Sequence, residues 1–297
     1  MNAAEDLGPV ALVGFGEAGS ILGEDLARLG VSVVAYDILL DKPATRAAMQ
    51  AKITAAGVRV APTLAEAIAG ARLIISAVTA SSAGDVARGS AATLVPGQVF
   101  LDINSVSPAA RRANAEAVQS AGAHYVEAAV MAAVPPQRLA VPMLLGGRHA
   151  PELAERLRGL GMNVTAVSGE VGIASAIKMC RSIVIKGLEA LVLECLLAAR
   201  RFSAEEQVLA SLDQTFPQMG WSGRLPDYLI SRVAEHGRRR AAELREVART
   251  LRDTGVEPVM ASAIAERQQW LADRMAESGL AYRRDEPFSW RKFVDSL

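Results

Sequence analysis

Three glycines, Gly14, Gly16 and Gly19, and one lysine, Lys178, are the residues of this chain whose types and spacing can do chemistry. The glycines fit G-x-G-x-x-G within Val10-Ala11-Leu12-Val13-Gly14-Phe15-Gly16-Glu17-Ala18-Gly19. The first glycine allows a tight turn after a strand. The second lets the backbone approach a pyrophosphate, and the third lets the following helix pack closely on the strand. Phe15, Glu17 and Ala18 complete the turn, and the helix opening there directs its first N–H groups at phosphates. The lysine closes the segment Gly169-Glu170-Val171-Gly172-Ile173-Ala174-Ser175-Ala176-Ile177-Lys178 and stands in the first turns of a long, otherwise apolar helix. Together the two segments suggest a redox enzyme in which a nicotinamide meets a catalytic lysine at a domain junction.

The elements that must position these residues can be read from the pattern around them. Pro9–Val13 is an apolar run suited to a strand buried on both faces. A helix over Glu17–Leu29 stops at Gly30, and Val31–Tyr36 forms a second buried strand ending at Asp37. A carboxylate there accepts hydrogen bonds from the adenosine ribose and repels a 2′-phosphate, so NAD is favoured. Arg46 is near enough in sequence to keep NADP possible. Strands and helices alternate onward: strands at Val58–Val60, Arg72–Val78, Val99–Asp102, Ala123–Val126, Val141–Leu145 and Asn163–Val167, with helices between them. This alternation implies a mostly parallel, doubly wound sheet with ligands at the carboxyl ends of its strands. The loops at Gly14–Gly19, Val78–Ser82 and Asn104–Pro108 then face one crevice, which adds Val78, Thr79 and Asn104 to the expected cofactor contacts.

From Ile173 to about Arg201 the chain has no proline and is rich in Ala, Leu, Ile and Val. It predicts one helix of about 43 Å at 1.5 Å per residue, apolar nearly all round and so buried on most faces. The remainder reads as helices broken at Phe216-Pro217, Gly220–Gly223 and Gly255–Pro258. The expected architecture is an α/β, Rossmann-type doubly wound domain over residues 1–168, then an all-α domain over residues 169–297 built on a long central helix. That helical part is too small to cover so apolar a helix alone, so a symmetric homodimer is expected.

Composition narrows the function classes. Lys plus Arg total 32 and Asp plus Glu total 32, so no strong field points to nucleic acid or to an anionic membrane. No signal-peptide-like or membrane-spanning run is evident. Cys180 and Cys195 fall four turns apart on one expected helix, too far to bridge, and read as core filler in a reduced, cytoplasmic protein. The three histidines are far apart, and no metal is implied.

The same residues resemble the β-hydroxyacid dehydrogenase family, which includes 3-hydroxyisobutyrate and 6-phosphogluconate dehydrogenases, and within it a subgroup with a C-terminal domain of unknown function. The resemblance covers essentially the whole chain. The family's D-x-S-T-x-x-P loop appears as Asp102-Ile103-Asn104-Ser105-Val106-Ser107-Pro108, and its D-A-P-V-S-G-G segment as Glu127-Ala128-Ala129-Val130-Met131-Ala132-Ala133. Its G-x-x-G-x-G-x-x-x-K-x-x-N-N segment keeps Gly169, Gly172 and Lys178, while Ala174, Arg181 and Ser182 depart from it.

The resemblance implies Lys178 as general acid or base on the carbinol oxygen, which must lie within hydrogen-bond reach. It implies substrate contacts from Asn104, Ser105, Val106, Met131 and Ser182. The loss of serine and glycines around Met131 implies a bulkier or more apolar substrate group. Ser107 before Pro108 can instead cap a helix. Lys186 lies on the face of Lys178 and can lend charge or pair with Glu189 or Glu194. Arg239 and Arg240 suit an acidic substrate, or pair with Glu243 as a solvated helix face. The expected function is NAD(P)-dependent interconversion of a hydroxyl and a carbonyl on a small acidic molecule. The alternatives are an imine reductase, against which Lys178 speaks, and a non-catalytic dinucleotide-binding scaffold.

Overall fold

In the computed structural model, which describes residues 7–297, the chain divides after Lys178 into two compact units. The first holds eight strands: β1 (Val10–Val13), β2 (Val33–Tyr36), β3 (Arg59–Val60), β4 (Leu73–Ser76), β5 (Val99–Asp102), β6 (His124–Val130), β7 (Met143–Gly146) and β8 (Val164–Ser168). They form one sheet in the order β3-β2-β1-β4-β5-β6-β7-β8. All pairs are parallel except β6–β7, an antiparallel pairing that the sequence did not announce. Val13, Ser76, Asp102 and Glu127 stand in register across β1, β4, β5 and β6, so the loops leaving β1, β4 and β5 emerge level with one another.

Every residue of β1, β4 and β5 is buried, as a sheet covered on both faces requires. Val10 and Leu12 point into one core with Leu22 and Leu26 of α1 (Glu17–Arg28). Ala11 and Val13 point into the other with Ala87 of α4 (Ala83–Ala91) and Val118 of α5 (Pro108–Ser120). Between these lie α2 (Pro43–Ala55) and α3 (Leu64–Ile68), whose N-terminus Thr63 caps through the Glu66 N–H. After β6 come α6 (Val134–Gln137), which was not foreseen, and then α7 (Ala150–Arg158).

The helix α8 spans Ile173–Arg201, 29 residues, with the bounds the composition suggested. The domain expectation divided the chain at 168/169; the compact units divide within this helix, after Lys178. The second unit carries α9 (Glu205–Thr215), α10 (Leu225–Asp253), α11 (Val259–Glu277) and α12 (Trp290–Asp295), and no strand among the described residues. Leu193 and Leu196 of α8 share a core with Ile230, Val233, Leu271 and Trp290. A Cβ at Gly237 would stand 2.8 Å from the Gln268 carbonyl oxygen, so the bare backbone there is what lets α10 and α11 approach.

In the single chain α8 is left partly open, with Val184 70% and Leu191 59% exposed, in line with a helical unit too small to cover it alone. Both cysteines are free and exposed instead of filling core. The helix is apolar enough for burial, but one copy of the chain offers too few apolar partners to cover it.

Candidate functional site

The glycine turn is built as its spacing demands. Gly14 has φ +93°, and a Cβ on it would meet the Ala77 carbonyl oxygen at 2.5 Å. A Cβ on Gly19 would lie 2.1 Å from the Gly14 carbonyl oxygen, so only glycine lets α1 pack against the turn. Gly16 faces open space, with nothing within 4 Å of where its Cβ would be, and no side chain caps α1. The first N–H groups of α1 are therefore uncapped beside an open Gly16, which fits a dinucleotide pyrophosphate. Phe15 is fully buried, so its contribution there is backbone.

Asp37, at the end of β2, accepts the Phe15 N–H through Oδ2 at 2.7 Å and the Leu39 N–H through Oδ1 at 3.0 Å. Its carboxylate is thereby fixed beside the turn with acceptor capacity left over. Arg46 donates from Nε to the Leu40 carbonyl at 2.6 Å, which ties it to the loop after β2. Lys52 of α2, which the sequence gave no reason to single out, donates from Nζ to the carbonyls of Phe15 at 2.7 Å and Gly16 at 3.1 Å. It adds a cation beside the turn.

The loops after β4 and β5 are joined through Asn104. Its Oδ1 accepts the Val78 N–H at 2.7 Å, and its Nδ2 donates to Ser76 Oγ at 2.9 Å and Asp102 Oδ1 at 2.7 Å. The side chain is buried and fully engaged, so Asn104 braces the two loops instead of presenting an amide to a ligand. Val106 likewise points inward. The Thr79 hydroxyl lies 3.0 Å from those of Ser81 and Ser82. Ser107 caps α5, accepting the Ala110 N–H at 3.3 Å with Pro108 following. Ser105 is exposed, and its Oγ accepts from Lys178 Nζ at 3.1 Å. The lysine of α8 and the loop after β5 are thus brought together.

Beneath this contact lies a buried charged cluster whose role the sequence did not reveal. Arg111, 1% exposed, pairs with Asp102 Oδ1 at 2.7 Å and lies 3.7 Å from Glu127 Oε2. It also donates to the carbonyls of Asp102, Asn104 and Ala128. Burial opposes its charge, but Asp102, Tyr125 and Glu127 outweigh that and hold its pKa above the usual arginine value. Burial chiefly pushes up the Tyr125 phenol, which donates to Asp102 Oδ2 at 2.8 Å. Glu127 Oε1 accepts the Gly172 N–H at 2.6 Å and the Ala174 N–H at 3.0 Å, and Oε2 accepts the Ser175 hydroxyl at 2.9 Å. The start of α8 is therefore closed by a carboxylate from β6. One signal for Arg111 was available: the core-facing stripe Arg111, Asn114, Ala115, Val118 of α5 begins with two polar residues.

In the helical unit, Lys186 and Arg240 take partners other than those expected. Lys186 Nζ donates to Glu243 Oε2 at 2.6 Å, not to Glu189 or Glu194. Burial, only partly offset by Glu243, lowers its pKa. Arg240 bonds Glu189, and Gln268 is buried beside that carboxylate. Both cations, expected against an acidic substrate, are already neutralised by carboxylates of the bundle. Ser182 is half-buried on α8 and Met131 half-buried at the end of β6. Trp221 is buried in the helical core and Tyr228 is exposed.

The NAD binding domain of 6-phosphogluconate dehydrogenase matches residues 9–169, and a domain of unknown function, DUF1932, matches residues 199–271. A conserved hypothetical protein of Sinorhizobium meliloti 1021 is 37% identical, with 98% of this chain and 95% of that one covered and a TM-score of 0.81. The 3-hydroxyisobutyrate dehydrogenase of Mycobacterium tuberculosis, solved with L-serine, is 17% identical, covering 98% of this chain and 99% of that one at a TM-score of 0.74. An imine reductase of Streptomyces aurantiacus is 18% identical over 90% of this chain and 95% of that one, at a TM-score of 0.55. The last two share the fold. On the matched residues 9–169, the sheet order and the glycine turn, the chain belongs to the β-hydroxyacid dehydrogenase-like family built on the NAD binding domain of 6-phosphogluconate dehydrogenase.

Proposed function

We propose that the protein is a cytoplasmic, homodimeric NAD-dependent dehydrogenase that interconverts a hydroxyl and a carbonyl on a small acidic substrate. The observation that carries this reading is the 3.1 Å contact between Lys178 Nζ and Ser105 Oγ, at the loop that follows a central strand of a dinucleotide-binding sheet. Gly14, Gly16, Gly19 and the start of α1 hold the pyrophosphate, with Lys52 beside them. The Asp37 carboxylate receives the ribose hydroxyls, and its charge disfavours a 2′-phosphate. Val78 and Thr79 flank the cofactor. A bound nicotinamide supplies the hydride acceptor. Lys178 takes the proton from the substrate hydroxyl at Nζ, and in the reverse direction returns it to the carbonyl oxygen. Ser105 holds the amine towards the loop, and Ser105 and Met131 contact the substrate. The exposed Val184–Leu191 face of α8 is the surface proposed for the second copy.

The test is a side-by-side fluorescence titration with NADH and NADPH, then a screen of hydroxyacids and cyclic imines with the wild type and Lys178→Ala. The reading expects tighter NADH, turnover of a hydroxyacid, and loss of turnover with intact NADH binding in K178A. Undiminished K178A turnover removes the lysine from the chemistry. Imine reduction alone, or binding with no turnover across the panel, turns the assignment to a reductase of imines or to a scaffold.

A further inference from the structure

Glu127 reaches across to the first turn of the helix that carries Lys178, and the chain around it is shaped for that reach. Its carboxylate accepts two backbone N–H groups, of Gly172 and Ala174, and one hydroxyl, of Ser175. These are the orphan donors that every helix start must satisfy, here met by a buried residue 45 positions earlier in the chain. Gly172 holds φ +105°, a conformation that turns the backbone into the helix and that a side chain would resist. Opposite it, Gly146 of β7 pairs in register with Glu127. A Cβ on Gly146 would lie 2.6 Å from Glu127 Oε1, 3.1 Å from Cγ and 3.2 Å from Cδ. The bare backbone at 146 is therefore the space the glutamate occupies.

We propose that Glu127, seated in the space left by Gly146, is a positioning residue for Lys178. It fixes the axial position and rotation of the first turns of α8, so that the Lys178 amine meets Ser105. Arg111 ties the same carboxylate to the loop carrying Ser105, through the carbonyls of Asp102 and Asn104. One buried network thus sets both ends of the Lys178–Ser105 contact. Glu127 acts through the helix start that it holds. The consequence for catalysis rests on the dehydrogenase reading; the consequence for the lysine does not.

The experiment compares Glu127→Gln, Glu127→Asp, Gly146→Ala and the double variant E127D/G146A. Each is read by thermal melting, NADH affinity, kcat and KM, and by acetylation of Lys178 relative to Lys52 mapped by peptide mass. Gly146→Ala changes no charge and no proposed site residue. Misplacement of a reacting group by a fraction of an ångström to an ångström costs on the order of tenfold to a hundredfold in rate. The inference expects a kcat loss of that order in E127Q and G146A, with KM and NADH affinity near wild type and an altered Lys178 labelling ratio. It expects the losses in E127D and G146A not to add in the double variant, because the shorter acid removes the 2.6 Å approach to Oε1 and leaves only the 3.1 Å approach to Cγ. Wild-type labelling of Lys178 in folded E127Q and G146A overturns the inference, as does a simple sum of the two losses in the double variant. If K178A retains full turnover, the dehydrogenase reading fails, and the labelling ratio alone still decides whether Glu127 positions the lysine.

Discussion

The same substitution, glycine to alanine, should have opposite consequences at Gly16 and Gly19, although the two stand one helical turn apart. At Gly19 the new methyl falls 2.1 Å from the Gly14 carbonyl oxygen, a backbone atom that cannot move without opening the turn. Overpacking of this kind costs about 1–3 kcal/mol. For a protein of this size that corresponds to roughly 2–10 °C in melting temperature. At Gly16 the methyl meets no atom within 4 Å, and φ is −69°. Gly16 has ψ −146°, just beyond the β region, and the less flexible unfolded chain offsets the strain this puts on alanine by about 0.4–1 kcal/mol. The methyl nevertheless projects into the open surface at the start of α1. A pyrophosphate that needs contact with the bare backbone should lose on the order of tenfold in affinity, about 1.4 kcal/mol. Scanning calorimetry and NADH titration of both variants make the test. The expected pattern is a near-wild-type melt with weak NADH for G16A, and a lowered melt for G19A. Wild-type NADH affinity in G16A would falsify the assignment of this surface to phosphate, and a wild-type melt for G19A would refute the packing argument.

Arg111→Met leaves Asp102 and Glu127 buried without their cation and should cost about 3–5 kcal/mol in chemical denaturation. Arg111→Lys keeps the charge but loses the planar fork that reaches three carbonyls, so it should fall between Met and wild type; equality of lysine with wild type contradicts the network as described. Burial first, then His124 for His149 and Arg232 for His236, hold both imidazoles below their usual pKa. The unfolded chain then binds those protons more readily, so stability falls as pH drops through about 6.5 and levels off below the depressed values. Melting temperatures measured across that range should decline, and less so in His149→Gln/His236→Gln. Val184→Glu with Leu191→Glu should convert a dimer to monomer in sedimentation velocity; an unchanged dimer places the interface elsewhere.

Much of the fold was legible because its signals are local. The strand Val99–Asp102 and the helix Ile173–Arg201 have the bounds the residues suggest, since unbroken apolar runs, a flanking glycine and the absence of proline leave few alternatives. The direction of β7 was not legible. A strand buried on both faces shows no alternation, and parallel and antiparallel neighbours look alike in sequence. The glycine turn and Lys178 could be found from spacing, but their supports could not. Lys52 reaches the turn from 37 residues away and Glu127 reaches α8 from 45. The partner of Lys186 shows the same limit. Helical spacing favours Glu189 or Glu194, yet the packing of α8 on α10 delivers Glu243. Asn104 was recognisable as important by its place after a strand, though not as an internal brace.

Two helices of the nucleotide-binding unit, α1 and α8, begin beside the sheet, and their beginnings are finished differently. The start of α1 has no capping side chain and has the Lys52 ammonium beside it, whereas the start of α8 is covered by Glu127. A helix start carries roughly half a positive charge. The unit therefore exposes that charge at Gly16 and cancels it at Gly172. Of these two starts, the one at α1 is the one left open to an anion. Sulfate or free pyrophosphate should compete with the dinucleotide one for one, and inhibition by either should be overcome fully by added cofactor.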